Sequence, residues 1–117
     1  EELRSGRYEA AIAGFRAQLE RYPDGDLADN AVYWTGESFY VTRQYDAAMA
    51  EFQRVVSEFP RSPKAADAML KIGYVHYNRQ EYPAARSVFT ELTQNWPATA
   101  AARLAESQLR RMREQGF

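Results

Sequence analysis

From Ala31 to Tyr40 the chain contains no proline, and Val32, Thr35, Gly36 and Phe39 recur at the three- and four-residue steps that bring side chains to one face of a helix. A break around Thr42 to Gln44 separates this stretch from a second one, in which Ala48, Phe52, Val55 and Phe59 share a face. Pro60 ends that run, because proline cannot donate the helical hydrogen bond and pushes the residue before it out of helical dihedrals. Asp26, Ser62 and Thr99 stand where a side-chain oxygen would accept from the first free amides of the helices that follow. Pro63 falls in a first-turn position that proline tolerates, and Pro83 holds the same early place in a later helix, so it reads as a start signal and not as a kink. A last helix is predicted from Thr99 to Met112, with Ala102, Ala105, Leu109 and Met112 on one side and Arg103, Glu106, Arg110 and Arg113 elsewhere. The pattern predicts an all-α chain of antiparallel helix pairs.

These helices repeat at a fixed step of 37 residues, which relates Pro23, Pro60 and Pro97. The same step carries Tyr22 to Phe59 to Trp96, Phe15 to Phe52 to Phe89, and Tyr8 to Tyr45 to Tyr82. It also links Ala11, Ala48 and Ala85, then Ala31, Ala68 and Ala105, and it takes Gly36 to Gly73. In each complete unit the glycine of the first helix is expected to face the alanine of the second, Gly36 against Ala48 and Gly73 against Ala85, because a larger side chain there would separate the pair. The order Gly36, Ala48, Phe52, Pro60, then Gly73, Ala85, Phe89, Pro97, resembles the tetratricopeptide repeat. That resemblance implies a solenoid of antiparallel helix pairs, about six to seven helices with a C-terminal capping helix. The usual repeat is about 34 residues, and the extra length here falls in the connections. Val32 and Met69 stand where the repeat often has Trp, and Thr35 and Ile72 where it often has Leu, so the first-helix signature is degenerate.

The expected division is one domain over 1–117, with a truncated first repeat at 1–23, a second at 24–60, a third at 61–97 and the capping helix at 98–117. Projecting the Gly36 series back one step falls before the first residue, so 1–5 is expected to be only the last turn of a first helix. A solenoid edge cut in this way leads to the expectation that the chain is a stretch of a larger protein.

A narrower resemblance rests on two blocks. One is Tyr33-Trp34-Thr35-Gly36-Glu37-Ser38-Phe39-Tyr40, and the other runs from Phe59-Pro60-Arg61-Ser62-Pro63-Lys64 through Gly73. Together they resemble the C-terminal domains of the periplasmic proteins of the Tol-Pal system, the cell division coordinators. The resemblance covers nearly the whole chain and implies a location in the periplasm of a Gram-negative bacterium. It also implies TolA as protein partner, a septal peptidoglycan synthase as a further one, and a role in linking outer-membrane constriction to septal peptidoglycan synthesis. Members of that family carry a trimerising N-terminal coiled coil ahead of this domain, so the full-length protein is expected to be a trimer. Other periplasmic tetratricopeptide proteins, notably the lipoprotein of the outer-membrane β-barrel assembly machinery, also use aromatic-proline helix ends and long connections. A scaffold of that kind, or a self-assembly domain, is the alternative reading.

Composition narrows the classes further. The chain has 117 residues, 45% hydrophobic and 26% charged, ordinary globular values without a disordered composition. A formal charge of -1 provides no global field for nucleic acid, and no apolar run reaches the length of a membrane span. Without cysteine there is no disulfide, thiolate metal site or thiol nucleophile. His76 is the only histidine, with Gly73 and Gln80 at its helical neighbours, and it reads as a structural side chain between helices. Arg103, Arg110, Arg111 and Arg113 could form a basic patch, but Glu106 and Glu114 interrupt them, and the helix dipole favours arginine near a C-terminus. No cofactor, metal or catalytic motif is expected, and the chain is not expected to be an enzyme.

The remaining signal is aromatic: 8 tyrosines, 6 phenylalanines and 2 tryptophans, 14% of the residues. Most fall on the repeat and serve packing. In stacked helix pairs the first helices line a concave side that holds a partner's segment. In the second unit that side is predicted to carry Asn30, Tyr33, Trp34, Glu37 and Tyr40, and in the third Asp67, Leu70, Lys71, Tyr74, Tyr77 and Asn78. Rings beside amide and charged groups suit a peptide, because rings supply contact area at small entropic cost and the polar groups satisfy its main chain.

Overall fold

The computed structural model describes residues 2–25 and 27–117, with side chains from residue 6 onward apart from 26. Six α-helices follow in order: α1 (Glu2–Arg21), α2 (Ala28–Val41), α3 (Tyr45–Glu58), α4 (Pro63–Asn78), α5 (Tyr82–Asn95) and α6 (Ala100–Gln115). No strand occurs among the described residues, and no described helix is long and apolar enough to cross a membrane. The chain forms two compact units, Glu1–Lys64 and Ala65–Phe117.

Within the first unit α1 packs on α2, and α2 on α3. Val32, Phe52 and Val55 are wholly buried there, with Ile12 of α1 nearly so. The Arg16 guanidinium ties α1 to both partners, lying 5.4 Å from the Phe39 ring centroid and 3.7 Å from a carboxylate oxygen of Glu51. In the second unit Phe89 and Leu92 of α5, Val75 of α4 and Met112 of α6 are buried.

The small-residue contact differs from the expected one. A Cβ on Gly36 would lie 2.8 Å from Cε1 of Phe52, and one on Gly73 only 2.3 Å from Cε1 of Phe89. Each glycine therefore accommodates the phenylalanine ring one turn beyond the expected alanine. Ala48 and Ala85 are themselves fully buried.

α1 also differs. It continues unbroken through Gly6, whereas residues 1–5 were expected to end a separate helix. Gly6 lies one repeat before Arg43, and Arg43 and Gln80 are the two non-glycine residues with positive φ among the described residues, 62° and 63°. Both end a first helix in a Schellman motif: Arg43 N–H donates to Tyr40 and Gln44 N–H to Phe39, with Gln80 to Tyr77 and Glu81 to His76 in the next unit. At Gly6 a Cβ would meet nothing within 4 Å, and α1 runs on through it without a turn.

The caps at Ser62 and Thr99 form as expected. Ser62 Oγ accepts from Lys64 N–H at 3.0 Å and donates to Asp29 Oδ2, so it starts α4 and ties that start to α2. Thr99 Oγ1 accepts from Ala102 N–H at 3.1 Å. Asp26, the third expected cap, lies outside the described residues. Pro83 sits in the first turn of α5, and α6 ends in another Schellman motif at Gly116, with φ 85°. One repeat after Gly73, α6 carries Arg110, exposed and donating to Ser107 Oγ at 3.1 Å.

Candidate protein-binding faces on the first helices

Helical periodicity puts one side of α2 and of α4 against its partner helix and leaves the other side available. In the first unit the available side is built around an aromatic pair. Tyr33 and Trp34 meet edge to face with centroids 5.1 Å apart, and Tyr33 leans on Phe52 at 5.6 Å. Lys64 brings its ammonium 4.9 Å from the Tyr33 centroid and 5.0 Å from that of Trp34. A cation over two rings contributes about 0.5–2 kcal/mol, more as the site is desolvated, and here it positions the indole. Trp34 remains 42% exposed while Tyr33 is only 7% exposed. Burial thus makes Tyr33 a support for Trp34 and not a contact residue. Asn30, Glu37 and Tyr40 are half-buried, and the Tyr40 ring tilts against Tyr45 at 5.8 Å.

In the second unit Asp67, Lys71, Tyr74 and Tyr77 are half-buried and Asn78 is exposed. Leu70, at 6% exposure, belongs to the core. The Tyr74 ring meets Phe89 edge-on at 5.7 Å, with the Lys71 ammonium 6.0 Å from its centroid. Burial pushes the Tyr74 phenol above its ordinary value, and the Arg111 guanidinium of α6 partly offsets that. Tyr77 packs on Tyr82 at 5.3 Å and donates its hydroxyl to Gln115 Oε1 at 3.0 Å.

α6 therefore borders this face through Arg111 and Gln115, where the sequence pattern predicts only a capping helix. Arg111 lies one repeat after Tyr74, and that register was the available signal. His76 is half-buried in the last turn of α4, with Nδ1 2.8 Å from Glu81 Oε1 and its carbonyl accepting from Glu81 N–H. It fastens the α4–α5 turn and does not lie in the core between helices. Among the described residues no group of three or more histidine or acidic side chains gathers as a metal site would require.

A tetratricopeptide-repeat family model matches residues 1–63, and a second matches residues 67–99. The chain belongs to the tetratricopeptide-repeat family. Comparison with curated proteins finds no match. Tetratricopeptide repeats are interaction scaffolds, so this chain is a protein–protein interaction module, and the glycine-to-phenylalanine packing of its two complete helix pairs is the device that holds the first-helix faces in place.

Proposed function

We propose that this tetratricopeptide domain is a non-catalytic, periplasmic module of the Tol-Pal cell-envelope system that binds TolA and helps to coordinate outer-membrane constriction with septal peptidoglycan synthesis. The observation that carries the binding part is the exposed Trp34, held by Tyr33 and Lys64 on a helix whose opposite side is fully packed. Such a ring offers contact area without first having to be ordered. The Tol-Pal assignment draws on the Tyr33–Tyr40 and Phe59–Gly73 blocks and on their resemblance to that family's C-terminal domains.

Titration calorimetry with purified TolA tests it. Trp34→Ala, Tyr40→Ala and Tyr77→Ala should each weaken binding by about 1–2 kcal/mol while circular dichroism stays unchanged. Unaltered affinity in all three would remove the first-helix faces from the interface, and no affinity in the parent chain would remove TolA.

One feature favours a second reading, self-assembly. Tyr22 and Leu27 are 55% and 57% exposed and line an apolar cleft of about 460 Å³ with Gln18, Gly25 and Ala28. Sedimentation across a concentration series decides, since a monomer at every concentration excludes it.

A further inference from the structure

Beyond the end of α6 the backbone turns at Gly116 and brings Phe117 back over the second unit. The Phe117 ring lies flat on Tyr82, with centroids 3.7 Å apart and planes 5° from parallel, and meets Tyr77 edge-on at 6.5 Å. Arg86 Nη1 donates to the main-chain oxygen of the same residue. Beside it, Thr90, Leu109, Met112 and Arg113 border an open cleft of about 450 Å³.

The geometry points to an aromatic-residue slot made by Tyr77, Tyr82 and Arg86 that Phe117 fills in cis, so that a partner segment bearing an aromatic residue enters by displacing Phe117. Two features define the ligand. Tyr82 offers a flat face and Tyr77 an edge, which select a planar ring over an aliphatic chain. Arg86 donates to the main-chain oxygen of the same residue, which suits a ring that carries a carbonyl group beside it. Displacement is local: Phe117 is still 37% exposed, and it follows the left-handed turn at Gly116, outside the core helices. Being tethered, Phe117 competes at a high effective concentration, so the slot answers only to a ligand that gains contacts elsewhere as well. Tyr77 also stands on the α4 face, so an incoming segment could gain those contacts there.

The probe is N-acetyl-phenylalanine amide, titrated into the isotope-labelled chain and followed by the Tyr77 and Tyr82 ring resonances. Phe117→Ala should bind it in the millimolar range, the parent chain at least about fivefold more weakly, and Phe117→Ala with Tyr82→Ala should not bind. N-acetyl-cyclohexylalanine amide should bind Phe117→Ala more weakly than the aromatic probe. Equal binding by the parent and Phe117→Ala, or no binding by a folded Phe117→Ala, overturns the slot. If Phe117→Ala loses its fold, Phe117→Leu keeps apolar cover without the stacked ring and should bind the probe more tightly than the parent; no gain there overturns the proposal equally. Neither result involves TolA, so the slot and the Tol-Pal reading stand or fall separately.

Discussion

Three glycines in helix interiors face different surroundings and should respond oppositely to the same substitution. At Gly14 a Cβ meets nothing within 4 Å, so Gly14→Ala should stabilise by up to about 1 kcal/mol through helix propensity alone. At Gly73 the same methyl would lie 2.3 Å from the Phe89 ring, and overpacking costs of about 1–3 kcal/mol exceed that gain. Gly73→Ala should be destabilising, and Gly36→Ala less so because its Cβ stands 2.8 Å from Phe52; urea denaturation ranks the three. Arg43 and Gln80 carry the converse strain, a left-handed conformation costing an L-residue about 1–2 kcal/mol. Replacing either with Gly should raise Tm by about 2 °C once the greater chain entropy of glycine is subtracted. Tyr74 provides a pH test. Its folded phenol holds the proton more firmly than the unfolded one, so its contribution to stability is complete below pH 10 and is lost as pH rises through the elevated folded value. In an absorbance titration Tyr74→Phe should delete an ionisation above pH 10, and Arg111→Met should move it higher.

At the level of helices, the connection before α4 is held from two sides. Ser62 caps α4 and reaches Asp29, while Lys64 covers the Tyr33–Trp34 pair. Ser62→Ala removes the cap and the link to another helix and should cost about 1–2 kcal/mol, against about 1 kcal/mol for Thr99→Ala, whose hydroxyl caps α6 and otherwise donates only to the nearby Trp96 carbonyl. Thermal melts of the two variants give the comparison. Helix positions were largely legible in the sequence, because the 37-residue step runs through α2 to α6, proline stops follow α3 and α5, and polar caps start α4 and α6. The run of α1 through Gly6 was not legible. Repeat register placed a break there, but a turn forms only where neighbouring elements close it, and sequence register cannot report what packs alongside. The glycine-phenylalanine contact was missed for a related reason: small residues pair readily on paper, whereas a large ring reaches one turn further than its Cα suggests.

Across the molecule, the outward placement of the first-helix aromatic residues was legible in part. Trp34, Tyr74 and Tyr77 fall on the expected sides of α2 and α4, yet Tyr33 and Leu70 are buried, since adjacent positions on a helix are 100° apart and one of them can swing onto the partner helix. The contributions of Arg111, Gln115 and Phe117 were not legible, because they depend on how α6 ends. Arg110 has a wider consequence. Where α2 and α4 have the glycine that admits a phenylalanine ring from the next helix, α6 has a long cation, so no further copy of α3 or α5 can dock there in the same way. An engineer extending the array would insert a 37-residue cassette between Pro60 and Thr99 and leave α6 untouched.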